Sequence, residues 1–319
     1  MVDHKHIKNQ APDQQTDSPN PAYHTPVLLK EAVDGLNIRK DGVYVDCTFG
    51  GGGHSREILV HLGVEGRVFA FDQDLGAAKN VPDDKRIIFL PHNFRHLKRF
   101  LRLHKILQVD GILADLGVSS HQFDEPDRGF SIRFDGNLDM RMDNRQSLTA
   151  YQVLTSYNEI QLHKLFEQNG EVTNSRTLAK AIVAVRQSTA LRSIANFKHA
   201  VSGVVKGNPN RWFAQVFQAL RIEVNDELGA LKEMLQQVPD LLKEKGRVVI
   251  ITFHSLEDRI VKNFFKNGLV DDESSDPFGR HTGTVQLKVL TKKPIIPTQE
   301  EMKKNTRSRS AKLRIAEKI

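Results

Sequence analysis

The sequence predicts a doubly wound α/β fold, in which helices cover both faces of a parallel sheet and an all-helical segment interrupts it. Apolar, β-branched runs alternate with helical patterns between Val43 and Leu116. Helical signals alone then fill residues 131–215, and a buried-strand pattern returns at Gly246–Phe253. Strands that alternate with helices favour a parallel sheet, and the interruption favours an insertion.

The individual strands are short apolar runs bounded by glycine or polar residues. Those before the insertion are Val43–Cys47, Gly66–Asp72, Arg86–Leu90 and Asp110–Leu116, and those after it are Gly246–Phe253 and Thr284–Leu290. A helix is predicted from Ser55 to His61, and Phe94, Leu97 and Leu101 repeat at helical spacing. A long helix through Leu228 and Leu235 should lead back into the sheet.

These patterns divide the chain into four parts. Residues 1–22 are polar and are predicted to be a disordered tail. Residues 23–130 and 216–305 should form the α/β domain, with the insertion at 131–215 helping to recognise the substrate. Residues 306–319 are predicted to be a basic tail.

Composition limits the cellular setting and the class of partner. Cys47 is the only cysteine, so no internal disulfide can form, and a cytoplasmic location is expected. No apolar stretch is long enough for a signal peptide or a membrane span. Lysine and arginine exceed the acidic residues by 46 to 39, which favours a polyanionic partner, although a merely soluble basic protein is the alternative.

A glycine-rich loop after the first strand predicts a cofactor site. The loop contains four consecutive glycines, Gly50–Gly53, and the second strand ends at Asp72, where a carboxylate can accept hydrogen bonds from ribose hydroxyls. Gly50 and Gly52 match the dinucleotide fingerprint, but Ser55 occupies its third glycine position. The pattern therefore favours S-adenosyl-L-methionine, which has no pyrophosphate, over NAD.

Asp115 ends the fourth strand and should lie at the rim of the same crevice, although a structural aspartate that caps a turn is the alternative. His54, His121 and His254 also follow predicted strands, but their spacing is not that of zinc ligands, so no metal site is predicted. Cys47 lies beside the cofactor loop rather than on the substrate side. This position argues against methylation of a pyrimidine carbon, which needs a thiolate, and favours transfer to nitrogen or oxygen.

Two basic segments are candidates for contacts with a phosphate backbone, with a solvated surface as the alternative. One is Arg95–Lys105, and the other runs from Lys303 to Lys318 with a single acidic residue, Glu317.

Eight motifs together resemble one family, the bacterial 16S ribosomal RNA (cytosine-N4)-methyltransferases, over roughly residues 23–316. They are HTPVLL at 24–29, TFGGGGHS at 48–55, DLGVSS at 115–120, RGFS at 128–131, LDMRMD at 138–143, FQALRI at 217–222, FHSLEDR at 253–259 and RSRSA at 307–311. The resemblance implies a Rossmann-like class I methyltransferase sheet and S-adenosyl-L-methionine as cofactor. It also implies ribosomal RNA methylation, at the exocyclic amine of a cytosine in the decoding region.

The resemblance further implies that the partner is 16S ribosomal RNA, within the small ribosomal subunit. The oligomeric state is left open, with a dimer as one alternative. By position in the motifs, the implied cofactor contacts are Gly52, Gly53, His54, Asp72, Phe94, Asp115 and Gln122.

The chemistry of the amine gives Asp115 a catalytic role. The lone pair of the cytosine amine is delocalised into the ring, and a hydrogen bond from the amine to Asp115 would help to localise it. Phe123 and Phe130 are candidates for stacking on the base, with core packing as their other role.

Three other functions remain open on sequence alone. They are a small-molecule methyltransferase with the insertion as a lid, a protein that only binds adenosylmethionine, and a dehydrogenase. The basic segments favour RNA over a small molecule, and Asp115 beside the cofactor favours an enzyme over a binding protein.

Overall fold

The computed structural model describes residues 26–270 and 286–319, and its centre is a seven-stranded sheet. The strands are β1 Val43–Asp46, β2 Arg67–Phe71, β3 Ile87–Leu90, β4 Val109–Asp115, β5 Leu242–Thr252, β6 Leu287–Val289 and β7 Lys312–Lys318. Their order across the sheet is β3-β2-β1-β4-β5-β7-β6. The expected tail at 1–22 and the start of the last expected strand lie outside the described residues.

The first five strands are parallel, and β7 is antiparallel to both β5 and β6. The strand order reverses between β1 and β4, which creates a crevice at their carboxyl ends. Each residue from Val109 to Ala114 is buried, as expected for a parallel strand covered on both faces. The predicted doubly wound sheet is confirmed.

Two helical layers bury alternate side chains of the same strands. On one face, α1 Leu29–Leu36 and α2 Gly53–His61 pack over Leu113 and Val249. On the other face, Ile112 and Val248 lie beneath the remaining layer, which consists of α3 Leu97–Leu103, α10 Glu227–Leu241 and α11 Ser255–Asn267. Side chains that alternate between two covered faces explain why the strands are continuous apolar runs.

The helical insertion has a hydrophobic core of its own, which extends from Phe130 to Val224. After the short helix α4 Ser120–Asp124, its helices are α5 Ala150–Ser156, α6 Glu159–Gln168, α7 Ser175–Val185, α8 Ile194–Ala200 and α9 Pro209–Asn225. The expected boundary at 215 falls inside α9, because Phe213, Val216 and Leu220 share the buried face of one continuous helix. We therefore propose that the insertion extends to the end of α9.

The carboxyl-terminal segment differs from the expected basic tail. After the helix α12 Gln299–Lys304 and a short 3₁₀ turn, the chain enters the sheet as β7 between β5 and β6. Leu313, Ile315 and Ala316 are buried there, and these apolar residues hold the segment in the core despite its cations. Within the two described ranges, no helix is long and apolar enough to cross a membrane.

Candidate active site

The loop between β1 and α2 takes a path that only glycine tolerates well. Gly50 and Gly52 have φ angles of +50° and +76°, in the left-handed region. A Cβ atom on Gly53 would lie 2.1 Å from Cγ of Pro26, so this position must also lack a side chain. The loop thus presents backbone rather than side chains at the end of β1.

Asp72, at the end of β2, is tied to this loop. One carboxylate oxygen accepts the backbone N–H of Gly50 at 2.7 Å, and the other accepts that of Asp74 at 2.8 Å. Burial raises the pKa of Asp72 to about 6, although these two hydrogen bonds oppose the shift. Each oxygen keeps a second lone pair, so the carboxylate can still accept hydrogen bonds from ribose hydroxyls.

Asp46 fixes the other side of the loop, and the sequence reasoning missed it. Its buried carboxylate accepts the Thr48 backbone N–H at 3.0 Å and the Ser55 hydroxyl at 2.7 Å. Ser55 is the residue that breaks the dinucleotide fingerprint, and this hydrogen bond gives it a structural purpose. The available signal was a strand-end aspartate followed nine residues later by a helical serine.

Asp115, at the end of β4, lies at the rim of the crevice with an unsatisfied oxygen. Its backbone N–H donates to the Thr48 hydroxyl at 2.7 Å, which joins β4 to the loop. Its buried Oδ1 has no hydrogen-bond partner. Burial, with the negative charges of Asp46 and Glu257, raises the pKa of Asp115 well above its usual value. A buried acceptor without a partner points to an absent donor.

His54 lies behind Asp115. Its ring is buried, and Nε2 lies 3.2 Å from the carbonyl oxygen of Val27. Burial lowers the pKa of His54, which favours a neutral ring that donates from Nε2 and leaves the Nδ1 lone pair free. Nδ1 is 3.8 Å from Oδ2 of Asp115, so the ring faces the carboxyl group and limits the positions that the Asp115 side chain can take.

Gln122 joins the site through Asp74. It caps α4 with Ser119, and its side-chain amide donates to Asp74 at 2.8 Å. Asp74 is also paired with Arg128, whose Nη1 lies 3.0 Å away. Because Asp74 also donates its N–H to Asp72, this network connects Gln122 to Asp72, so two of the expected cofactor contacts are joined through Asp74. Asp74 and Arg128 were not predicted from sequence, since only the fold brings them together.

The aromatic candidates take different positions. Phe94 begins a 3₁₀ turn soon after β3 and is half-buried against the sheet. Phe123 packs against the insertion, with the Arg307 guanidinium 4.8 Å from its ring centre. Phe130 is only 5% exposed within the insertion core, so its ring cannot stack on a substrate base.

One cluster has the composition of a metal site. Ligand atoms of Glu227, His254 and Glu257 lie within 4.8 Å of one another. The Glu227 carboxylate, however, receives two hydrogen bonds from Arg221, and Glu257 accepts the backbone N–H of Phe253. Both carboxylates are thus already used within the protein, and we assign no metal to the cluster.

Six of the twelve lysines and arginines in the two basic segments are held by carboxylates, so a large part of each segment's charge is already paired within the protein. In the first segment, Arg95 pairs with Asp226 and Glu233, and Lys98 pairs with Asp240. In the second, Lys304 pairs with Glu300, Arg307 with Asp124, and both Lys312 and Arg314 with Asp258. Arg309 is exposed and has no ion pair among the described residues.

Sequence comparison gives the family. Residues 21–319 match the model of the MraW methylase family. A Bacteroides thetaiotaomicron protein, named ribosomal RNA small subunit methyltransferase H, is 52% identical over 297 residues, which cover 93% of this chain and 97% of that protein. A Flavobacterium psychrophilum protein of the same name is 51% identical and covers 91% of this chain and 100% of the relative.

Solved structures resemble the chain less closely. A putative rRNA methylase from Clostridium thermocellum is 12% identical, with a TM-score of 0.43, and covers 93% of this chain and 100% of that one. The assignment therefore rests on the sequence matches. They confirm the family resemblance. Together with the doubly wound sheet, they establish a class I methyltransferase that uses S-adenosyl-L-methionine. The chain belongs to the MraW methylase family and is a methyltransferase.

Proposed function

We propose that the protein transfers a methyl group from S-adenosyl-L-methionine to the exocyclic N4 of a cytosine in the decoding region of 16S ribosomal RNA. The observation that carries this proposal is the unpartnered Oδ1 of Asp115 at the rim of the glycine-loop crevice. The names of the relatives support small-subunit ribosomal RNA as the substrate. The resemblance of the eight motifs to the cytosine-N4 methyltransferases supports N4 as the acceptor.

The described residues fit the cofactor. The backbone of Gly50–Gly53 and the free lone pairs of Asp72 would hold its nucleoside part, with Gln122 and Phe94 near the same rim. When bound, the cofactor supplies an electrophilic methyl group on a positively charged sulfur. His54 would act through its contact with Asp115 rather than by touching the cofactor.

Asp115 would act on the acceptor nitrogen. The amine donates a hydrogen bond to the carboxylate, which localises the nitrogen lone pair. As the new N–C bond forms and the S–C bond breaks, the nitrogen loses a proton to Asp115, and S-adenosylhomocysteine remains. A raised pKa makes the ionised carboxylate a stronger base than an ordinary aspartate, which assists this transfer.

The insertion would form the RNA-facing wall of the crevice. It follows α4, and α4 carries Gln122 at the edge of the cofactor site. The target base must leave its stack to reach the methyl group, so an already unpaired cytosine should be preferred.

The test is transfer of labelled methyl groups to small ribosomal subunits that lack the modification, to naked 16S ribosomal RNA and to transfer RNA. We expect label on a small-subunit substrate, recovered as N4-methylcytidine after digestion. Asp115→Asn should lower the single-turnover rate by roughly 10²–10⁴-fold. Asp84→Asn, a partly exposed control before β3, should retain the parent rate. Label at another atom, or none on ribosomal RNA, would contradict the proposal.

A further inference from the structure

We propose that a cavity at the ends of β5 and β7 binds the nucleotide next to the target cytosine, with its base in the cavity and its phosphate on Arg309. This inference rests on the proposed function, because it assumes that the target base lies at Asp115. The cavity belongs neither to the glycine loop nor to the Asp72 network. It therefore adds a second RNA contact rather than another part of the cofactor site.

The cavity has a volume of about 300 Å³, at the lower end of the range for small-ligand pockets. This size suits a single base rather than a longer segment of RNA. Its walls come from the turn after β5, the segment before α12, α12 itself and the start of β7. The lining includes Phe253, Ile296, Met302, Arg309 and Ser310.

The sheet places this cavity beside the methyl-transfer site. Asp115 on β4 pairs with Ile251 on β5, and Thr252 pairs with Lys312 on β7. Neighbouring strands lie about 4.8 Å apart, so β7 is about 10 Å from Asp115 across the sheet. The Phe253 ring joins the two sites, because Cδ2 lies 3.6 Å from the position that a Cβ of Gly117 would take.

The lining has the chemistry that a nucleotide requires. Phe253 and Met302 offer apolar contacts to a base, and Ile296 leaves 64% of its surface exposed at the cavity. A flat aromatic or apolar platform binds bases regardless of their identity. An apolar protein partner would not need the unpaired cation Arg309, whereas an RNA phosphate would.

Arg309 has no carboxylate partner among the described residues and can bind a phosphate, whereas its neighbours Arg307, Lys312 and Arg314 are paired. Lys312 and Arg314 are both held by Asp258, and Arg307 is held by Asp124. Among these cations near the cavity, Arg309 has no carboxylate partner in the part of the chain that the structure describes. Arg309 lines the cavity and can therefore neutralise a phosphate there without first breaking an ion pair.

The test compares Arg309→Gln and Ile296→Asp with the control Lys40→Gln, which removes an exposed charge just before β1, at the amino ends of the parallel strands. Steady-state methylation of small subunits gives kcat and KM, and calorimetry gives the affinity for S-adenosylhomocysteine. We expect both cavity variants to raise KM roughly 5- to 100-fold, with kcat and product affinity unchanged. Arg309→Gln should also reduce the log–log salt slope of RNA binding by about 0.7.

A further arm replaces the neighbouring base in a decoding-region RNA by an abasic site. The parent protein should bind this RNA more weakly than the intact one, and Ile296→Asp should bind the two equally. If both cavity variants match Lys40→Gln while the parent still methylates N4, the cavity inference fails and the proposed function stands. If the variants lose affinity for subunits but not for the naked RNA, the occupant is a ribosomal protein, which also overturns the inference. Absence of N4 methylation by the parent would instead refute the proposed function.

Discussion

Replacing Asp72 by asparagine should weaken cofactor binding without unfolding the loop. In the folded protein, each Asp72 oxygen already accepts one backbone N–H, from Gly50 or from Asp74. Asparagine keeps the shape of the side chain but has only one acceptor oxygen. Its amide would therefore face one of these N–H groups as a second donor and could not accept from a ribose hydroxyl.

The magnitude follows from the hydrogen bonds that are lost. A hydrogen bond to a charged group contributes about 1.5–3 kcal/mol, so the loss of one to the ribose should weaken affinity roughly 10- to 150-fold. Calorimetry with S-adenosylhomocysteine measures the change. Asp84→Asn is the matched control, since Asp84 is paired with Arg86 away from the site and should bind like the parent.

The pH dependence separates this role from a general loss of structure. If Asp72 accepts hydrogen bonds from the ribose hydroxyls, its ionised form is the one that binds them, and burial raises its pKa to about 6. Affinity for the cofactor should therefore be constant above about pH 7 and fall as pH drops through about 6. Asp72→Asn should remove this dependence. An unchanged affinity in the variant, or a parent affinity that is flat from pH 5 to 8, would refute the assignment of Asp72 to the ribose.

Two further predictions concern buried charges. Burial raises the pKa of Asp115 in the folded state, so the folded state loses stability relative to the unfolded state as pH rises and the carboxyl ionises. Asp115→Asn removes this charge and should therefore increase the free energy of unfolding at pH 7 by more than about 1 kcal/mol. Below pH 4, where the carboxyl is protonated in both states, the substitution should change it little. Chemical denaturation at both pH values checks this, and a loss of stability at pH 7 would contradict it. Asp258→Ala should cost about 3–5 kcal/mol, because it leaves the buried Arg314 unpaired. Asp34→Ala should have little effect, because the Lys30–Asp34 pair is exposed to solvent. Equal losses for Asp258→Ala and Asp34→Ala would show that Arg314 is not held by its partner.

The parallel part of the fold was predictable because each central strand is a continuous apolar run. The predicted strand Val43–Cys47 is observed as Val43–Asp46, and Asp110–Leu116 as Val109–Asp115. By contrast, β7 was expected to be a basic tail. Its cations alternate with Leu313 and Ile315, and charge obscured the period-two pattern of a strand. Which cations carry carboxylate partners depends on tertiary contacts and could not be read from the sequence.

The site was predictable where function depends on local chain geometry and was missed where it depends on contacts between distant segments. The glycine loop and Asp72 follow directly from strand ends, and the structure joins them by a hydrogen bond. Asp74 and Arg128 form a network only because α4 and the following turn fold back over the end of β2. Asp46 lies within the first predicted strand. The sequence does not show that its buried carboxylate is paired, because its partner Ser55 reaches it only when α2 packs beside β1.

The charge of the crevice gives a physical reason for the choice of cofactor. Asp46, Asp72 and Asp115 end three neighbouring strands, and in the described part of the chain none of them is paired with a lysine or arginine. Burial raises the pKa of both Asp72 and Asp115, and repulsion from the Asp46 carboxylate adds to both shifts. Each of these carboxyls that ionises adds negative charge to the crevice, although the whole chain has a formal charge of +7. A sulfonium cation relieves the repulsion, whereas the pyrophosphate of a dinucleotide would increase it. After transfer the sulfur is neutral, so the same field would hold the product less tightly than the donor and favour its release.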